Sequence, residues 1–166
     1  MKRIFPALTP LTSDHIVIAS DEGTRRWQFH GAKGRKDKEI LGVAGELAVA
    51  CYFNVWPRSL QSRERDENRR KKYNYGYDLI IGKQRIEVRT CSNHGPEKSN
   101  LFIKNVDDCD FYFYCTSEDL FRFTDMTIRG WIDWESAHVL SSINRYSNDL
   151  MLAQNFLKTE EFNIGT

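Results

Sequence analysis

The stretch YGYDLIIGKQRIEVRT, Tyr75 to Thr90, decides the fold. Tyr77–Ile81 and Gln84–Thr90 are rich in β-branched and aromatic residues, the composition of strands. Gly82-Lys83 lies between them, and two residues is the commonest hairpin loop. That loop pairs Ile81 with Gln84, Ile80 with Arg85, Leu79 with Ile86 and Asp78 with Glu87, and a loop from Ile81 to Gln84 keeps the same register. Directly opposed residues lie about 4.5–5.5 Å apart at Cβ, where like charges repel. Arg89 projects from the same face as Glu87, and Tyr77, Leu79, Ile86 and Val88 form an apolar opposite face. Two carboxylates held together beside a cation suit a divalent metal ion.

N-terminal to the hairpin, KDKEILGVAGELAVACYF predicts a helix over Lys36–Phe53. Ile40, Ala44, Leu47 and Cys51 recur at helical spacing, and Val43 and Ala48 widen the stripe. Asp37 is the expected N-cap. Gly42 and Gly45 form helix poorly and suggest that another backbone approaches closely. Residues 1–34 read as irregular or as short strands, with HIVIAS and RRWQFHG forming a hairpin around Asp21-Glu22-Gly23. Residues 58–72, RSLQSRERDENRRKK, read as an exposed loop or short helix.

C-terminal to the hairpin, LFIK suggests a short strand and DFYFYCT, Asp110–Thr116, a strong one, paired with Leu120–Phe123. MTIRGWIDW predicts a further strand around Gly130, Trp134–Arg145 a helix, and the tail from Leu150 helix or coil. This order predicts one mixed α/β domain over 1–166. Within it, 1–34 reads as an N-terminal extension, 35–135 as the core and 136–166 as a C-terminal helix and tail.

The 166 residues are enough for a real core, and 40% hydrophobic and 13% aromatic content excludes a disordered chain. The formal charge of +1 conceals a split. Residues 1–100 carry 19 Lys+Arg against 12 Asp+Glu, or +7, and residues 101–166 carry 5 against 11, or −6. A basic half points to a polyanion, and nucleic acid is the obvious one. Pro6 and Pro10 interrupt the short apolar run that follows the N-terminal basic residues, so no signal peptide is expected. No run approaches a membrane span. A reduced, cytoplasmic protein without membrane contact is expected, with Cys51, Cys91, Cys109 and Cys115 as free thiols. Cys91-x-x-His94 with Cys109 and Cys115 can be drawn as a zinc site, although the spacing is loose.

A helix carrying GELA (Gly45–Ala48), then YDLII with Asp78, then RIEVRT with Glu87 and Arg89, resembles the PD-(D/E)XK nuclease superfamily of phage and prokaryotic type. The resemblance covers roughly residues 36–135. It implies a restriction-endonuclease-like core, a central mixed β-sheet of four to five strands flanked by helices. It further implies a metal-dependent nuclease that hydrolyses DNA phosphodiester bonds through Mg²⁺-activated water, with Mn²⁺ as a substitute. Glu46, Asp78, Glu87 and Arg89 fall at the family's catalytic positions. Asp78, Glu87 and the Val88 backbone carbonyl would hold the metal, with Glu46 acting through a water or seating a second ion. Arg63, Arg65, Arg69, Arg70, Lys71 and Lys72 would track the phosphate backbone of DNA or RNA.

One position departs from the family. Its usual lysine is Arg89 here, and arginine does not lose its proton. Arg89 would then orient the nucleophile or the phosphate, and Lys83, Lys98 or Lys104 are possible substitutes. A homodimer is compatible with cutting two strands. Two other readings stand beside this one. In the first, a catalytically inactive nuclease-fold protein binds nucleic acid or a protein partner, with Arg89 marking the loss of activity. In the second, an interaction module docks a protein through its acidic C-terminal half.

Overall fold

A strand and a helix meet at Leu11-Thr12 near the N-terminus. The computed structural model describes residues 4–57, 60, 77–92, 100–103, 108–117, 124–143 and 150–163. Strand β1 is Ala7–Pro10, and helix α1 follows over Ser13–Phe29. Thr12 caps α1 by accepting from the His15 N–H, and the His15 ring accepts from the Thr12 N–H. The hairpin expected in this region is therefore a 17-residue helix. Its β-branched run favours a strand locally, but the cap and the packing of α1 onto the next helix override that preference.

Helix α2 spans Lys36–Phe53, with the expected bounds. Its N-cap is Arg35, and Asp37 lies in the first turn, ion-paired to Arg35. Val43 to Ala50 are all buried, so α2 is a central helix and not one with a single apolar stripe. Close approach explains Gly45: a Cβ there would stand 2.0 Å from the Thr90 hydroxyl. A Cβ at Gly42 would meet nothing within 4 Å, so the expected close approach is absent there. Gly23 of α1 supplies it instead, since a Cβ at that position would lie 2.5 Å from the Ile40 backbone.

Strands β2 (Leu79–Ile81) and β3 (Gln84–Ser92) form the expected hairpin. Its register is Leu79↔Ile86, Ile80↔Arg85 and Ile81↔Gln84, three of the four expected pairs; the expected Asp78–Glu87 pair is not part of the ladder, which begins at Leu79. Gly82 has φ +63°, which the first position of such a loop demands of a glycine. Then come β4 (Leu101–Ile103), β5 (Phe111–Ser117) and β6 (Asp125–Asp133). Helix α3 covers Trp134–Leu140, and Asp133 caps it by accepting from the Ser136 N–H at 2.8 Å. Strands β7 (Ser142–Ile143) and β8 (Leu150–Leu152) follow.

The fold is mixed α/β. Five strands form the central sheet in the order β1-β6-β5-β3-β2, with β3 parallel to β5 and the other pairs antiparallel. A second sheet has the order β4-β8-β7. Two sequence expectations change here. The predicted C-terminal helix ends at Leu140, before β7, and the tail expected as helix or coil contributes β8, which pairs with β4. The expected pairing partner Leu120–Phe123 lies outside the described residues, and β6 pairs with β5.

The central sheet separates two apolar clusters. Ile86, Val88, Phe113 and Cys115 pack with α2 in the larger one. Tyr112 and Tyr114 belong to the smaller one with Leu101, Cys109, Ala137 and Leu152, and Cys91 packs against it. Cys115 is thus divided from Cys91 and Cys109, which does not favour the zinc drawing, and His94 lies outside the described residues. Tyr77 packs with the smaller cluster, not with Leu79, Ile86 and Val88 as expected. Regular alternation starts only at Leu79, because the Asp78 N–H donates to the Ile86 carbonyl at 2.8 Å and leaves the ladder.

Candidate functional site: a carboxylate cluster where three elements meet

Each acid of the predicted set reaches one region from a different element. Asp78 immediately precedes β2, and its Oδ2 accepts from the Val88 N–H at 2.9 Å. That bond fixes the carboxylate against β3. Burial holds the Asp78 carboxyl well above the usual carboxylate range, and the neighbouring charges of Glu46 and Glu87 push it further. Both glutamates therefore lie close enough for their charge to act on Asp78.

Glu87 lies on β3, beside Tyr112 of β5, and is buried. Its Oε1 is 3.0 Å from Nη1 of Arg89, two residues along the same strand face. Glu46 is on α2 and is 4% exposed. Its carboxylate accepts two hydrogen bonds from Arg26 of α1, Nη1 to Oε1 at 2.6 Å and Nη2 to Oε2 at 2.9 Å. This fork-to-fork geometry is the strong form of an ion pair.

Arg26 is the site residue that the sequence reading missed. Its Nε donates to Oε1 of Glu22 at 3.1 Å, and Arg25 grips the same carboxylate with 2.7 and 2.8 Å bonds. The Arg26 guanidinium is desolvated by burial, but Glu46, Asp78 and Glu22 together hold its pKa above the ordinary arginine value. Burial also raises the Glu22 carboxyl, and Arg25 and Arg26 outweigh it, so the net shift is downward. The available signal was the spacing Glu22, Arg25, Arg26, which is i, i+3, i+4 on a helix. It has meaning only once residues 13–29 are read as helical.

Four carboxylates (Glu22, Glu46, Asp78, Glu87) and three guanidiniums (Arg25, Arg26, Arg89) thus form one network. With every group ionised these residues carry one more negative charge than positive, and burial with the charges of Glu46 and Glu87 holds Asp78 toward its neutral form. Lys83 is exposed on the hairpin turn. Lys98 and Lys104 lie outside the described residues, as do Arg63, Arg65, Arg69, Arg70, Lys71 and Lys72.

Among the described residues, no group of three or more His, Cys, Asp and Glu side chains is arranged to close around a metal ion. Mg²⁺ does not need such a cage, since it binds through one or two carboxylates and keeps several waters. Asp78 and Glu87 are two carboxylates near enough for the charge of one to act on the other. A carboxylate repelled by two neighbouring acids is the group whose charge a divalent cation would relieve.

No family model matches the chain, and no curated protein matches it. Among the described residues, no helix is long and apolar enough to cross a membrane.

Proposed function

We propose that this protein is a Mg²⁺-dependent nuclease hydrolysing DNA phosphodiester bonds, with a restriction-endonuclease-like core. The observation that carries the reading is the position of Asp78, bonded to the Val88 N–H and repelled by both Glu46 and Glu87. Asp78 and Glu87 would hold Mg²⁺, or Mn²⁺ in its place, with the Val88 carbonyl as a third oxygen. When bound, such an ion polarises the phosphodiester and acidifies water.

The protein's own groups do the rest. The Val88 N–H keeps Asp78 in one orientation. Arg89 neutralises Glu87 and would stand beside the phosphate, where arginine stabilises charge that develops on the transferring phosphoryl group. Arginine stays protonated, so Arg89 orients and neutralises but accepts no proton from water. The basic run from Arg63 to Lys72 supplies charge to track the strand, and a homodimer would place two such sites on a duplex.

A second reading has its own support. Glu46 and Glu87 are each already paired with an arginine, an arrangement that also suits a silent nuclease-fold protein that binds nucleic acid. One experiment separates the two. Plasmid and single-stranded DNA are incubated with Mg²⁺ or Mn²⁺ and either wild type or Glu87→Ala. Cleavage by wild type that Glu87→Ala abolishes supports the nuclease. Binding without cleavage, weakening steeply with salt, supports the silent binder. Cleavage that survives the substitution refutes the site.

A further inference from the structure

We infer that Arg26 is a built-in competitor for the divalent cation: it holds Glu46 in the metal-free protein and sets how tightly the carboxylate cluster takes a metal. The inference rests on the nuclease reading of the site and goes beyond it by assigning a role to a residue of α1. Arg26 spends both terminal nitrogens on Glu46, at 2.6 and 2.9 Å, and its Nε on Glu22, at 3.1 Å. All three of its side-chain nitrogens are thereby turned to carboxylates of the cluster, and its side chain is 21% exposed. A guanidinium in that position supplies one positive charge where a metal ion would supply two.

The packing makes this arrangement specific. Gly23 lies one turn before Arg26 and lets α1 approach the Ile40 backbone so closely that no Cβ would fit. That contact sets the separation of α1 and α2, and with it the reach of Arg26 to Glu46. Arg25 is adjacent in sequence, carries the same charge and is 41% exposed, and it bonds the Glu22 carboxylate at 2.7 and 2.8 Å. The pair therefore contains its own control. If a cation enters beside Asp78 and Glu87, Glu46 is drawn toward it, and its hold on Arg26 loosens in exchange.

The test is Mn²⁺ binding to the full chain, read from the loss of the free-ion electron paramagnetic resonance signal, without DNA. Arg26→Gln is expected to bind Mn²⁺ at least tenfold more tightly than wild type, and Arg25→Gln to lie within about threefold of it. Because Arg26→Gln leaves two buried glutamates short of a partner, the wild type provides a second readout. In the ¹⁵N-labelled protein, the Arg26 Nε–H resonance should shift during Mg²⁺ titration with the same midpoint as the Val88 amide. Equal effects of the two glutamine variants, or a Val88 amide that moves while Arg26 stays fixed, would overturn the role of Arg26 and leave the metal site standing. Wild type that takes up no Mn²⁺, with neither resonance moving, would overturn both.

Discussion

The Arg26 guanidinium lies across the Glu46 carboxylate in a two-bond fork that ties α1 to α2, joining residues twenty apart in sequence. Glu46 is buried and Arg26 is largely so. Removing one member of such a pair strands the other's charge, which costs about 3–5 kcal/mol when both are fully buried. The residual exposure of Arg26 places Arg26→Ala near the lower end, about 3 kcal/mol. Glu46→Gln combined with Arg26→Ala should cost less than the sum of the single changes, a coupling that urea denaturation of the four proteins measures.

Asp78 makes stability depend on pH in a defined direction. Burial and the charges of Glu46 and Glu87 raise its folded-state pKa above its unfolded value. The folded chain therefore binds the proton more tightly. The contribution is fully present below the unfolded pKa, about 3.9, and is lost as pH rises through the raised folded value. Above the unfolded pKa, Asp78 therefore weakens the metal-free fold. Asp78→Asn keeps an oxygen for the Val88 N–H and removes the charge. It should raise Tm at neutral pH, by about 2–4 °C for each 1 kcal/mol gained, with the gain shrinking in acid. A Tm difference that does not change with pH would contradict this account.

The contact of Gly45 with Thr90 seats α2 on β3 next to the site. An alanine there gains up to about 1 kcal/mol of helix propensity. Against that, its Cβ would lie 2.0 Å from the Thr90 Oγ1 and 3.1 Å from both Thr90 Cβ and Cγ2. Overpacking of this kind costs about 1–3 kcal/mol, so Gly45→Ala should be net destabilising. Gly45→Ala with Thr90→Ala removes the obstructing hydroxyl and Cγ2 and should recover most of the loss, as thermal denaturation would show.

The parts of the fold legible in the sequence are those whose signals are local. The β2–β3 register follows from alternation on either side of Gly82-Lys83, and α2 follows from an uninterrupted helical apolar pattern. Helix α1 was hidden because Ile16, Val17 and Ile18 prefer strands, while the residues that make the segment helical are a cap at Thr12 and a packing partner on α2. Strand β8 was hidden for a related reason, since it exists through pairing with β4, some fifty residues earlier. The same division holds at the site. Asp78 and Glu87 are brought together by one hairpin, whereas Arg26 reaches Glu46 only through the packing of two helices.

Arg89 offers the last test, because its pairing with Glu87 at 3.0 Å does two separable things. It cancels the charge of a buried acid, and it places a cation that cannot titrate beside the proposed reaction centre. Lysine keeps the first property and changes the second, since its amine can give up a proton when desolvated near other charges. In the nuclease reading, Arg89→Lys should therefore raise the rate of plasmid nicking. About tenfold is a modest share of the 10²–10⁴ that a positioned acid or base contributes. Arg89→Ala should lower the rate and also destabilise the fold, because Glu87 is left buried beside Asp78 without its cation. Equal nicking by all three proteins would place Arg89 outside the chemistry and leave it a structural partner of Glu87.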